Sequence, residues 1–185
     1  MATDDSIWFS DPTFGIDNPA ESYGGTSAQD GEFIYRYAPK DKSLTRMKTP
    51  MLHSPNSLAF SPDARCLYIA DSQLAHNFSD PTLAHRILAY EVHNHELMNG
   101  RVFAEINPGI PDGIKVDECG NVWSSCKEGI QVFNPSGTLL GKVLINSENT
   151  GNLNFSSDGL DHWLYVTAAH LVFRLKVKVS GAVSQ

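Results

Sequence analysis

Two proline-led segments of the 185-residue chain place an oxygen-bearing side chain just ahead of an apolar run. In SPNSLAF, Asn56 stands four residues before Phe60; in IPDGIKV, Asp112 stands four residues before Val116. An amide oxygen and a carboxylate are hard donors of the kind that calcium, magnesium or manganese takes, and the carboxylate can also move a proton. Asn and Asp after proline are equally at home in turns, where the side chain bonds its own backbone. The two readings separate on whether the fold brings both positions to one point.

Short runs of β-branched and aromatic residues bounded by Gly, Pro, Asn and Asp recur along the chain, with no sustained i, i+3, i+4 apolar pattern. This predicts an all-β single domain with strands at Ile7 to Ser10, Phe33 to Tyr37, Leu44 to Met47, Ser57 to Phe60, Cys66 to Ala70, Arg86 to Val92 and Val102 to Ile106. Further strands are expected at Gly113 to Val116, Val122 to Ser124, Ile130 to Phe133, Leu139 to Ile145, Asn152 to Phe155, Trp163 to Thr167 and Leu171 to Val177. An internal repeat organises them. SLAFSPDARCLYIAD, GIKVDECGNVWSSC and NLNFSSDGLDHWLYVTA overlay as strand, polar turn, strand, with Asp63, Asp117 or Asp158 in the turn. Each runs on into a third strand with an aromatic near its end, ILAYEV, IQVFNP or LVFRLK.

The second strands, opening at Leu67, Val122 and Leu164, lie about 55 and 42 residues apart, the spacing of four-stranded propeller blades. DDSIWFSD reads as the turn and second strand of an earlier blade, continued by FIYRY and LTRM. The chain therefore holds about four blades of a β-propeller, the first without its inner strand and the last short of an outer one. It is either a four-bladed ring or the C-terminal portion of a larger one, and open sheet edges are candidate surfaces for self-association. In a propeller the inner strand of each blade lines the central channel. Asn56 and Asp112 share an offset in consecutive blades, so both converge on one mouth of that channel, and this favours a site over two turns.

Bulk properties narrow the function classes. A net charge of −7 and the absence of clustered basic residues argue against a nucleic-acid surface, and Arg174 to Lys178 alternates with apolar residues as a strand's solvent face does. No apolar run reaches the ~18–20 residues of a membrane helix, and Cys66, Cys119 and Cys126 form no CxxC pair, so a reduced, cytoplasmic protein is expected. A zinc site from Cys119, Cys126 and a histidine fits no standard spacing. Ser124, Ser125 and Cys126 lie in an alternating strand with no adjacent histidine to activate them, which makes Cys126 a core residue rather than a nucleophile. Secondary candidates for substrate contact are Asn152, one position off the same offset in the next blade, Asp11 and Asp71, which end second strands at SDP and ADS, and His76 in the following loop. Asp63, Asp117 and Asp158 read as hairpin-turn residues.

Taken together, IWFSDPTFGI, SPNSLAFSPDARCLYIADS and HRILAYEV resemble the YFTDPxYG, PNGLAFSPDxxxLYVADS and RxIxxFDV segments of the gluconolactonase, senescence marker protein and luciferin-regenerating enzyme family, six-bladed β-propellers. GRVFAEINPGIPDGIKVDECGNVWSSCKEGIQVFNPSGTLLGKV and GNLNFSSDGLDHWLYVTAAHLVFRL continue in register with that family's last two blades. The resemblance implies that Asn56 is a metal ligand and that Asp112 both binds metal and serves as catalytic proton donor or acceptor. It implies a divalent cation, calcium first with zinc, manganese or magnesium as alternatives, and a small-molecule sugar-type lactone as substrate. The family's first-blade glutamate ligand, and an asparagine ahead of its FTDP motif that helps hold substrate, have no counterpart here. The expectation is thus a fold incomplete at the N-terminus and a lactonase of impaired activity; the alternative is a catalytically silent propeller fragment acting as a binding or assembly module.

Overall fold

The computed structural model describes residues 4–17 and 25–182. Fourteen strands form four antiparallel sheets, each ordered as the chain runs. The first sheet holds β1 (Ile7–Asp11), β2 (Phe33–Ala38) and β3 (Ser43–Arg46). The second holds β4 (Pro55–Phe60), β5 (Cys66–Asp71), β6 (Arg86–His93) and β7 (Glu96–Glu105). In the third are β8 (Ile114–Val116), β9 (Val122–Cys126), β10 (Gly129–Phe133) and β11 (Leu139–Leu144). The fourth holds β12 (Thr150–Asp158), β13 (Asp161–Ala168) and β14 (Leu171–Val177). Neighbouring sheets meet through their inner strands, β1 on β4, β4 on β8, and β12 on β8 and β9. The result is four propeller blades side by side, as the repeat predicts, and no sheet closes on itself.

Because side chains alternate across a strand, a blade between two neighbours must be apolar on both faces, and this is why CLYIA and VWSSC read as nearly continuous buried runs. Leu67 and Ile69 of β5 face the first sheet, where they pack with Ile34, Met47, Leu88 and Tyr90. Tyr68 points the other way, into a cluster with Ile87, Phe103, Ile114, Val122 and Phe133. A third cluster joins Ile130 and Ile145 to Leu153, Leu164 and Val166. The last strand is mostly solvent-facing, with Arg174 stacked 4.1 Å over the Trp163 ring and Lys176 paired to Asp161 at 2.6 Å.

All fourteen expected strands are present, with differences at their ends. The largest is β7, which starts at Glu96 rather than near Val102, because Asn94 and His95 adopt φ of 49° and 66° and turn the chain straight back onto β6. A two-residue turn of that kind normally advertises itself with Gly, and here it does not. Two single helical turns, α1 (Phe14–Asp17) and a 3₁₀ turn at Gln73–His76, are too short to leave a periodic signal.

Candidate active site

Asn56 and Asp112 meet. The Asn56 side chain donates a hydrogen bond to the Asp112 carboxylate across the gap between the second and third blades. Each is aimed by irregular backbone. In β4 the pairing jumps from Pro55 opposite Asp71 to Leu58 opposite Ile69, so Asn56 and Ser57 lie in a bulge, a device that re-aims side chains at strand ends. Ahead of β8, the Gly113 N–H donates to both the Gly151 carbonyl (2.9 Å) and Ser125 Oγ (2.8 Å), which ties Asp112 to the fourth blade. Gly113 is required: a Cβ there would stand 2.4 Å from Asn152 Oδ1 and 2.7 Å from its Cα. The two arms are cross-braced by Ser72, whose N–H donates to the Ser54 carbonyl at 2.9 Å and whose hydroxyl donates to the Pro111 carbonyl.

Burial pushes the Asp112 carboxyl above its ordinary range, and the Asn56 hydrogen bond only partly opposes this. Among the described residues it forms no ion pair. A desolvated carboxylate with only a neutral amide for company lacks its counter-charge, and two converging oxygen groups are the donor chemistry a hard divalent cation takes. Space exists for one, since the residue facing Asp112 from the fourth blade is Gly151, whose ideal Cβ position is 3.7 Å from Asp112 Oδ2. Asn56 and Asp112 therefore fit a cation and are the residues that would hold it. Beside Asp112 opens a cavity of about 660 Å³, lined also by Leu74, Phe78, Pro108, Ile110, Lys127, Asn149 and Thr150. This volume lies within the range of small-molecule sites.

The secondary candidates are placed differently. Asp71 has no exposed surface; its carboxylate accepts from Ser54 N (3.0 Å), His53 N (3.3 Å) and Arg86 Nε (3.3 Å), with His53 Nδ1 also at 3.3 Å. It holds the segment that leads to Asn56. Asp11 is half-buried at the end of β1, and its side chain forms no hydrogen bond or ion pair among the described residues. Asn152 is exposed, but its Oδ1 caps the Leu153 N–H at 2.8 Å while its body packs on Gly113. His76 is exposed and not idle: Nε2 lies 3.1 Å from Ser54 Oγ and 3.2 Å from Glu32, Nδ1 lies 3.4 Å from Asp17, and the ring stacks on Phe14 at 4.8 Å. Asp17, Glu32 and His76 thus form a second cluster of metal-type donors within 4.8 Å of one another.

Asp63 is a turn residue as expected, capping Arg65 N at 3.1 Å. Asp117 is more than that: fully buried, it accepts from Cys119 N, Asn121 N, Asn121 Nδ2 and Trp123 Nε1, all within 3.0 Å. Cys126 is buried in the core, and Ser125 is a structural donor to the Gly151 carbonyl at 2.9 Å. Sequence reasoning missed Gly151, which approaches Asp112, and Thr150, which lines the same cavity. It also missed Lys115, which projects into the channel, where burial lowers its pKa and Nζ finds the Ile114 carbonyl at 3.3 Å.

Comparison with known proteins follows the same lines. A gluconolactonase of Zymomonas mobilis is 30% identical over 95% of this chain and 48% of its own length. A pentonolactonase of Haloferax volcanii is 29% identical over 70% of this chain and 42% of its own. The solved structure of a gluconolactonase from Xanthomonas campestris superposes with a TM-score of 0.79 at 31% identity, covering 98% of this chain and 55% of that one. The chain spans about half the length of the curated relatives it matches. Among the described residues no helix is long and apolar enough to cross a membrane. With the family described as SMP-30/Gluconolactonase/LRE-like region matched over residues 1–170, the chain belongs to that family.

Proposed function

We propose that this chain hydrolyses sugar-type lactones with the help of a divalent cation, calcium first, held by Asn56 and Asp112. The observation that supports the reading is the hydrogen bond from Asn56 to the buried Asp112 carboxylate, which has no ion-pair partner among the described residues. The family relatives named above include lactonases of six- and five-carbon sugar acids, which supplies the substrate class. A divalent cation bound there supplies Lewis-acid polarisation of the ring carbonyl. Asp112 accepts a proton from water as the water oxygen bonds to the carbonyl carbon. On collapse of the tetrahedral adduct the ring C–O bond breaks, and Asp112 returns the proton to the departing alkoxide, giving the open hydroxy acid. Asn56 holds the carboxylate in register through its amide hydrogen bond. Two side-chain oxygen donors leave most of calcium's six to eight positions to water or other oxygens, so weak cation affinity is expected.

The test is proton release from D-glucono-δ-lactone and a pentonolactone, measured with calcium, manganese, magnesium or zinc added. Cation-dependent turnover that drops by about 10²-fold or more in Asp112→Ala supports the assignment. Absence of turnover with every cation, or full turnover in the Asp112→Ala variant, would overturn it; cation binding without turnover would favour a binding module.

A further inference from the structure

The structure assigns Lys115 as the centre of an anion site in the central channel, where it takes a small oxyanion, the carboxylate of a hydroxy acid or a phosphate. Three cavities of about 290, 300 and 360 Å³ have this residue in common. Their walls come from the inner strands β4, β8 and β12 and from the start of β1, so they occupy the channel. No Asp or Glu lines any of the three, in a chain whose net charge is −7. Neither Asp112 nor Asn56 borders them, which sets the site apart from the candidate cation site. Lys115 is half-buried: partly withdrawn from water, yet still in reach of a solute in the channel.

A lysine ammonium carries three donors. Nζ gives one to the Ile114 carbonyl at 3.3 Å, and among the described residues Lys115 forms no ion pair. Burial pushes the amine below its ordinary value, and no carboxylate counters the shift. A charge desolvated without a partner costs free energy until something supplies the opposite sign. The fold itself does not ask for this charge. When the repeats are aligned on Phe60, Val116 and Phe155, the preceding residue is Ala59 in the second blade, Lys115 in the third and Asn154 in the fourth. All three line these cavities, so equivalent positions converge on the channel, and the other two are neutral. Asn154 and Tyr165 border Lys115 in the largest of the three, and their side chains form no hydrogen bond among the described residues. An amide and a phenol both donate to oxygen and neither repels an anion.

Titration calorimetry on the 185-residue chain tests the site with sodium gluconate and with inorganic phosphate, a chelator replacing calcium and sodium chloride holding the ionic strength constant. At least one of the two is expected to bind the native chain. Its affinity should fall by about 10-fold or more in Lys115→Met and in Lys115→Gln, which remove the charge, while Lys115→Arg, which keeps it, retains most of the affinity. Binding should persist in Asp112→Ala, because that carboxylate borders none of the three cavities. Gluconate binding without phosphate binding identifies a hydroxy acid as the ligand; phosphate binding, alone or alongside, identifies a general oxyanion site. The inference is overturned if neither anion binds the native chain, if either charge-free variant, shown to be folded by circular dichroism, binds as the native chain does, or if Asp112→Ala abolishes binding. Lactone turnover enters none of these measurements, so the anion site and the lactonase reading stand or fall separately.

Discussion

Replacing Asp71 by alanine should unsettle Asn56 without touching it. The Asp71 carboxylate is fully buried and is shared by Ser54 N, His53 N, His53 Nδ1 and Arg86 Nε, all at 3.0–3.3 Å. Removing it strands two backbone donors at the entrance to β4 and takes away the carboxylate partner of a guanidinium whose side chain is 19% exposed, although Arg86 keeps its bond to the Met51 carbonyl at 2.9 Å. Breaking a buried charge pair from one side costs about 3–5 kcal/mol. For a chain of this size that is a fall in melting temperature of about 6–20 °C. Asp71→Asn, which keeps the shape and one acceptor oxygen, should lose about half as much. Because Ser54 and Asn56 are two residues apart, the loosened segment should also weaken calcium binding by the native-like fraction of Asp71→Asn at a temperature where it is folded. Thermal melts and a calcium titration read both effects. A melting temperature within about 1 °C of native for Asp71→Ala would refute the scaffold role. Native stability and native calcium affinity combined with loss of lactone turnover would refute it differently, by restoring Asp71 as a substrate contact.

Two further predictions concern backbone space and acid stability. Gly113→Ala places a methyl 2.7 Å from the Asn152 Cα, which is backbone and cannot swing away, so a loss of at least about 1–3 kcal/mol is expected in denaturant melts, whereas Gly151→Ala meets only ordinary contacts of 3.7 Å or more and should fold with little penalty. Equal stability of the two variants would show that the blades can separate at Gly113. At the other end of the arc, burial tends to raise the Asp4 carboxyl, but the Ser6 hydroxyl and the Arg36 guanidinium outweigh it and hold Asp4 well below the usual carboxylate range. A depressed carboxyl contributes stability that is complete above its unfolded value near 4 and is lost as pH falls towards the folded value. Asp4→Asn should therefore melt lower than native at neutral pH and show a shallower decline between about pH 4 and 2. Parallel melting curves across that interval would refute the contribution.

The architecture was legible because propeller blades repeat, and burial on both faces of each second strand writes the same apolar run several times. CLYIA and WLYVT could be aligned by eye, and the offset from Phe60 and Val116 was enough to bring Asn56 and Asp112 together. What lacked a sequence signal were contacts set by chain ends meeting at a distance. Asp71 and Asp117 look like surface turn residues in a local window, yet each is fully buried, because a neighbouring strand or turn brings donors that no local pattern reveals. The Asp17, Glu32 and His76 cluster joins segments drawn from two blades and two loops, so no spacing rule encodes it.

The sharpest gap between sequence and structure lies at the third position of the mouth. Counting four residues back from Phe155, as from Phe60 and Val116, lands on Gly151; the polar neighbour Asn152 was weighed instead because its side chain could do chemistry. The bulge between Thr150 and Asn152 turns Asn152 onto its own strand and presents Gly151 to Asp112. An ideal Cβ there would stand 3.7 Å from Asp112 Oδ2, an ordinary contact.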